Sequence, residues 1–223
     1  MKQNAKFFSF WLLFALSGTA TTVFNSCSKD DSGSNSIGGT STSDPGVVIN
    51  GVKWATRNVD KPGTFAAKPE DAGLFYQWNR KIGWSATDPM VNSTGGNTWD
   101  NSYPSGSTWE SANDPSPTGW RMPTFDEIKT LLATTDKVSN EWTTQNGVSG
   151  RKFTDIATGK TLFLPAVGIR YGSDGTLQLA GTYGCYWGNA QDHNDLAYFL
   201  RFNSADWSYF DHLNGFSVRS VAK

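Results

Sequence analysis

The chain has 223 residues, a formal net charge of −1 and ten tryptophans, so it is long enough to build a domain core and carries none of the basic excess that nucleic acid binding uses. It has two cysteines, Cys27 and Cys185; with Cys27 in the leader region, the lone Cys185 excludes a cysteine zinc site, a redox pair and an intrachain disulfide in the domain. The many large rings offer another way to hold long loops, since each buries a great deal of surface.

Lys2 and Lys6 give a positive start, Phe7 to Leu16 is an apolar run of signal-peptide length, and small residues lead to Cys27. Gly18 to Thr22 breaks the run before the roughly 20 apolar residues that a membrane span needs. A cleaved leader over residues 1–26 is expected. Phe24-Asn25-Ser26-Cys27 is similar to a bacterial lipobox, with Phe24 where an aliphatic residue is usual, and Ser28-Lys29-Asp30-Asp31 resembles the acidic export tag of surface lipoproteins in Bacteroidetes-type bacteria. That resemblance implies lipidation of Cys27 and a lipid-anchored place on the outer membrane, at the cell surface. Residues 27–46, polar and glycine-rich, read as a flexible tether, and 47–223 as the domain.

Val47 to Val59 predicts a hairpin turning on Asn50-Gly51, with Trp54 facing the core. Pro69 to Arg80, with Leu74, Phe75 and Trp78 near helical spacing, predicts a short helix. Trp84 to Pro117 is long and polar yet carries Trp84, Trp99, Tyr103 and Trp109, so it reads as a loop pinned by its rings; a stacking platform for sugar or peptide is the alternative. Asp114 to Leu132 is the anchor. Pro115 and Pro117 hold it extended, Thr118-Gly119 turns it into Trp120, and Thr124 with Glu127 forms a capping box before Ile128, Leu131 and Leu132. Strands are expected over Arg151 to Asp155 and Lys160 to Arg170, around the Ser173-Asp174-Gly175 turn, over Gly181 to Gly188 and Ala197 to Phe202, and in a closing GFSVRSV strand. The class expected is α+β, with short antiparallel strands, two helices and long pinned loops.

Taken in order, NGVKWATRNV, EDAGLFYQW, DPSPTGWRMPTFDEIKTLL, LFLPAVGIR, YWG and GFSVRSV resemble the Fibrobacter succinogenes major paralogous domain across essentially all of 47–223. The resemblance implies a C-type lectin-like fold. Members often carry cysteine where this chain has Ser116 and Ser220; the joint absence fits two positions that normally pair. True C-type lectins bind calcium through an EPN- or QPD-type loop and a WND strand. Neither is present, and Trp99-Asp100-Asn101 has the letters in another order. The formylglycine-generating enzymes of the same broad fold use a cysteine-bound metal, which a lone Cys185 cannot supply.

Asp126 and Glu127 fall in a first helical turn, and Glu70 and Asp71 precede a helical pattern, so these carboxylates read as structural. No catalysis, cofactor or metal is expected. The stretch Asn189 to Asn214 reads differently, as apolar framework positions with polar and aromatic residues between them. Candidate ligand-binding residues are Asn189, Gln191, Asp192, His193, Asn194, Asp195, Asn203, Asp206, Trp207, Tyr209, Asp211 and His212, because rings give contact area at low entropy cost and small polar groups adapt. The composition also resembles the variable C-terminal region of lectin-fold proteins diversified by retroelements; an ordinary polar strand-loop-strand region stays open beside it. The function expected is adhesion, the binding of an extracellular glycan or protein, with an accessory or tip subunit of a surface fibre as the alternative.

Overall fold

A computed structural model describes residues 41–133, 136–203 and 205–223. The leader over 1–26, Cys27 and most of the tether lie outside the described residues. Residues 41–46, drawn as tether, are fastened to the body. Ser41 bridges Phe65, and the Asp44 carboxylate accepts from the Gly46 and Thr56 amides, the Thr56 hydroxyl and Arg57 Nε at 2.8–2.9 Å. Burial alone raises the Asp44 carboxyl, but these donors outweigh it and hold it below the usual range.

The first hairpin is as expected. Val47–Ile49 (β1) pairs antiparallel with Val52–Trp54 (β2) across Asn50 and Gly51, whose φ angles of 46° and 82° give the turn whose twist suits two strands. Trp54 is buried, and the Asn50 amide donates to Asp155 at 2.8 Å.

Pro69 to Arg80 holds a strand, Phe75–Gln77 (β3), where a helix was expected. Phe75, Tyr76, Gln77 and Trp78 are all buried. A strand covered on both faces loses the alternation that marks a half-exposed one, and its apolar run then mimics helical spacing. Glu70 accepts from Asn146 at 2.6 Å, and Asp71 from the Lys68 amide at 2.9 Å. Both carboxylates thus serve local structure.

Between Gly83–Trp84 (β4) and Trp120–Arg121 (β5) the long loop is pinned by rings. Trp99 donates its indole N–H to the Gly172 carbonyl at 3.0 Å and lies 4.8 Å from Trp84, while Trp109 lies 6.0 Å from Trp78. The Trp99 and Trp109 rings are buried, so neither is a stacking platform; Tyr103 alone of the four rings stays exposed. Buried Arg170 adds a polar pin, donating to the Ser85, Thr87 and Gly175 carbonyls and pairing with Asp88 at 3.0 Å.

The capped helix is Phe125–Leu131 (α1). Thr124 Oγ1 accepts from the Glu127 amide at 3.2 Å and Glu127 accepts from the Thr124 amide at 2.8 Å, completing the box, with Arg121 forked onto the same carboxylate. Ile128 and Leu131 face the core. This is the only helix among the described residues, so the fold is mainly β, not α+β with two helices. The second helix was the misread β3.

The remaining strands are Val138–Gln145 (β6), Val148–Asp155 (β7), Thr161–Pro165 (β8), Ile169–Arg170 (β9), Leu177–Gln178 (β10), Gly184–His193 (β11), Leu196–Phe202 (β12), Asp206–Asp211 (β13), Gly215–Phe216 (β14) and Val221–Ala222 (β15). They form sheets ordered β1-β2-β15-β5, β10-β9-β14-β3-β4, β11-β12-β13 and β6-β7-β8. Gly184 explains its own residue type: a Cβ there would sit 2.2 Å from the Phe202 ring.

The closing segment is two short strands, not one, because it changes sheets. β14 pairs with β3 and β9; Ser217 then exchanges backbone bonds with Cys185 and Trp187 of β11, at 3.0 and 3.1 Å. The Val218 and Ser220 carbonyls accept from Val59 and Ala55, and β15 pairs with β2 and β5. Phe216 and Val218 enter the core. Arg219 is buried among neutral acceptors, Asn58 Oδ1 at 3.0 Å and the Ala55 carbonyl at 3.2 Å, and burial pulls its pKa down to about 10. Ser116 and Ser220 meet, their hydroxyl oxygens 2.7 Å apart.

Candidate ligand-binding face

The sheet β11-β12-β13, with its adjoining turns, carries the residues expected to bind. Its register sets which side chains share a face, since cross-strand partners point the same way and neighbours along a strand point oppositely. Tyr198 faces Tyr209 and Leu200 faces Trp207, which puts these four together. Phe125 of α1 stacks on Tyr198 at 4.0 Å, and Trp207 meets both rings edge-on at 4.9 and 5.8 Å. On the opposite face Phe199 lies across from Ser208 and Ala197 from Phe210. There Phe199 packs on Phe216 at 4.8 Å.

The expected binding residues are therefore dispersed. Asn189 and Gln191 lie under the pinned loop, their backbones bonded to Trp109 and Ser107. Asp192 contacts His193, which meets Tyr209 edge-on at 5.4 Å. Tyr198, and then His193, hold the Asp192 carboxyl below its usual range. Asn194 and Asp195 form the tip of one hairpin. Asn203 and Asp206 sit at the other end, where Arg201 pairs with Asp206 at 3.7 Å. Trp207 and Tyr209 are exposed on the strand between.

His212 is a correction. It is 1 % exposed, stacked on Trp78 at 4.2 Å, and belongs to the packing. Its burial, partly offset by Asp195 and Asp211, lowers its pKa and favours the neutral ring. Cys185 is also buried, and burial raises its thiol pKa, which keeps it protonated. Among the described residues no group of three or more His, Cys, Asp or Glu side chains is placed to hold a metal.

Exposed rings from three distant segments converge where only part was expected. Tyr103 (49 % exposed), Tyr171 (43 %) and Phe210 (40 %) line a cleft of about 300 Å³ with Ser173 and Asp211. The Tyr103 hydroxyl donates to Asp211 at 2.8 Å, and that bond, together with burial and the nearby Asp195 charge, raises the phenol pKa. A cleft of this kind offers ring faces for an apolar surface and a carboxylate for hydroxyl or cationic groups. Of its lining, Asp211 was anticipated. Phe210, Tyr103, Tyr171 and Ser173 were not among the candidate binding residues. No protein-family model matches this chain, nor does any curated protein or any solved structure.

These groups set a pH profile. His212 has a depressed folded-state pKa, so the unfolded chain binds the extra proton first, and stability falls as pH drops below about 6.5. Asp44 and Glu127 are depressed carboxylates, each raised by burial but lowered further by hydrogen bonds. Their contribution is complete above the unfolded value near pH 4 and is lost as pH falls through the lower folded values. The melting temperature should decline mildly below about pH 6.5 and steeply below about pH 4. A midpoint unchanged from pH 7 to 3 would refute this assignment.

Proposed function

We propose that this chain is the binding domain of a surface lipoprotein, anchored to the outer membrane through Cys27, which holds an extracellular glycan in the Tyr103–Tyr171–Phe210 cleft without catalysis. The observation that carries the reading is the convergence of three exposed rings on Asp211. Ring faces suit the apolar faces of sugars, and a carboxylate suits their hydroxyls. Glu70, Asp71 and Glu127 are engaged in structural hydrogen bonds, which supports binding over catalysis. The adjacency of Ser116 and Ser220 supports the resemblance to the Fibrobacter succinogenes major paralogous domain, whose members often carry cysteine at both positions.

The test is a glycan array, followed by titration of any binder against Phe210→Ala and Asp211→Asn. Each variant should weaken binding by about tenfold, the loss of one stacking or charged hydrogen-bond contact. An array with no binder at high protein concentration, or variants that bind as the parent does, would sink the cleft as a glycan site. The second reading, a subunit of a surface fibre, draws its support from the open edge of β13.

A further inference from the structure

The face of the β11-β12-β13 sheet opposite Tyr198 and Leu200 is only partly covered. Phe199 and Arg201 share that face with their cross-strand partners, Trp187 and Cys185 on β11 and Ser208 and Asp206 on β13, and Phe210 lies on it two residues further along. Trp187, Cys185 and Phe216 close its inner part as core. Toward β13 a second cleft opens, about 380 Å³, a size that suits a small molecule. Tyr183, Phe199, Phe210 and Phe216 supply rings to its wall, and Ile169 and Leu179 supply aliphatic surface.

Arg201 is the one charged side chain in that lining. Six of the chain's seven arginines donate a hydrogen bond to a carbonyl, carboxylate or side-chain amide oxygen. Arg201 makes no side-chain hydrogen bond to any described residue, and its Nε is buried without a partner. Its ion-pair partner, the Asp206 carboxylate, stands at 3.7 Å, beyond hydrogen-bond reach, is about half exposed to water and already accepts from the Trp207 amide. The guanidinium charge is nonetheless felt inside the cleft. Burial raises the Cys185 thiol pKa, and Arg201 opposes that rise.

Leu179 is unusual in another way. Its φ of 60° is a left-handed conformation that a bulky side chain rarely adopts. The turn holds it there, since its carbonyl accepts from the Thr182 and Tyr183 amides at 3.1 and 3.0 Å. Burial does not offset the cost, because the side chain stays exposed on the wall of the cleft. Strain kept at an exposed apolar residue points to a ligand that covers it.

The lining selects the occupant. One guanidinium balances one negative charge, and its planar fork matches a carboxylate. The rings and Leu179 require an apolar body attached to that group. We propose that this cleft binds a small amphipathic carboxylate, its acid group on Arg201 and its apolar body between Leu179 and the phenylalanine rings. An aryl group and a short acyl chain both meet that description.

The probes are 3-phenylpropanoate and octanoate, each beside its neutral amide, titrated calorimetrically into the mature chain. At least one acid should bind at least about tenfold more tightly than its amide, as a charge-assisted hydrogen bond requires, and the tighter acid names the body. Arg201→Gln should weaken the acid by about tenfold and leave the amide unchanged, while Arg201→Lys keeps part of the preference. Leu179→Gly should weaken the acid by about tenfold without lowering the melting temperature, since glycine relieves the left-handed backbone as it removes the apolar contact. Both acids idle at about 10 mM, an amide as tight as its acid, or a preference that survives Arg201→Gln would overturn the proposal. Arg201 does not line the first cleft and Asp211 does not line this one, so variants at the two positions let the glycan reading and this one fail separately.

Discussion

The double variant Ser116→Cys, Ser220→Cys should close a disulfide under mild oxidation and raise the melting temperature by roughly 10 °C. The two oxygens stand 2.7 Å apart, near the separation of about 2.05 Å that a disulfide needs, so little backbone movement is required. Each segment is also held independently of the pair. Asp114 accepts from the Ser116 and Met122 amides, and the Ser220 carbonyl accepts from Ala55. Cross-linking positions 104 apart in sequence removes loop-closure entropy from the unfolded chain. In the chain-entropy model the gain is about 4.7 kcal/mol, against about 1 kcal/mol for the hydroxyl hydrogen bond given up. Mass spectrometry after alkylation gives the first readout and calorimetry the second. Free thiols after oxidation, or a formed bond without a higher midpoint, would contradict the prediction.

Trp187→Ala should leave little folded protein, or lower the melting temperature by more than about 15 °C. Trp187 is fully buried, stacks on Phe216 at 4.2 Å, meets Phe199 at 6.0 Å and donates its indole N–H to the Tyr76 carbonyl at 2.8 Å. The cavity costs about 3–5 kcal/mol, and an orphaned buried carbonyl another 1–3 kcal/mol or so. Together these approach the whole stability of an ordinary domain, about 5–15 kcal/mol. Trp187→Phe, which refills part of the space but cannot donate, should fall between. Thermal melts followed by near-ultraviolet circular dichroism separate the cases, and an alanine variant within 5 °C or so of the parent would show the ring to be peripheral.

How much of this was legible in the sequence depended on where each signal resides. The Asn50-Gly51 hairpin and the Thr124–Glu127 cap are local devices, complete within a few residues, and both read correctly. The β6–β7 hairpin turns on Asn146-Gly147, with φ angles of 48° and 84°, the same signal. It went unread because β6 is mostly exposed and polar, so no apolar alternation framed it. β3 failed for the opposite reason, being buried throughout. The arrangement of the candidate binding residues was hidden for a third. A contiguous stretch was expected to form one surface, but period-two alternation sends Tyr209 and Phe210 to opposite faces, and the turn after β13 carries His212 inside. Tyr103 and Tyr171 join Phe210 from distant segments, a convergence that only the fold creates.

The passage of residues 215–222 through three sheets also bears on how the domain assembles. Partners for this segment come from Ala55, Val59, β3, β9 and β11, spread over most of the domain. The sheets that contain β2 and β3 cannot finish their own hydrogen bonding before the segment arrives, whereas β6-β7-β8 pairs without it. Closure is thus a late, collective event with long loops to close, and the chain should fold slowly for its size. The seam is both the last piece to be made and the one that locks the rest.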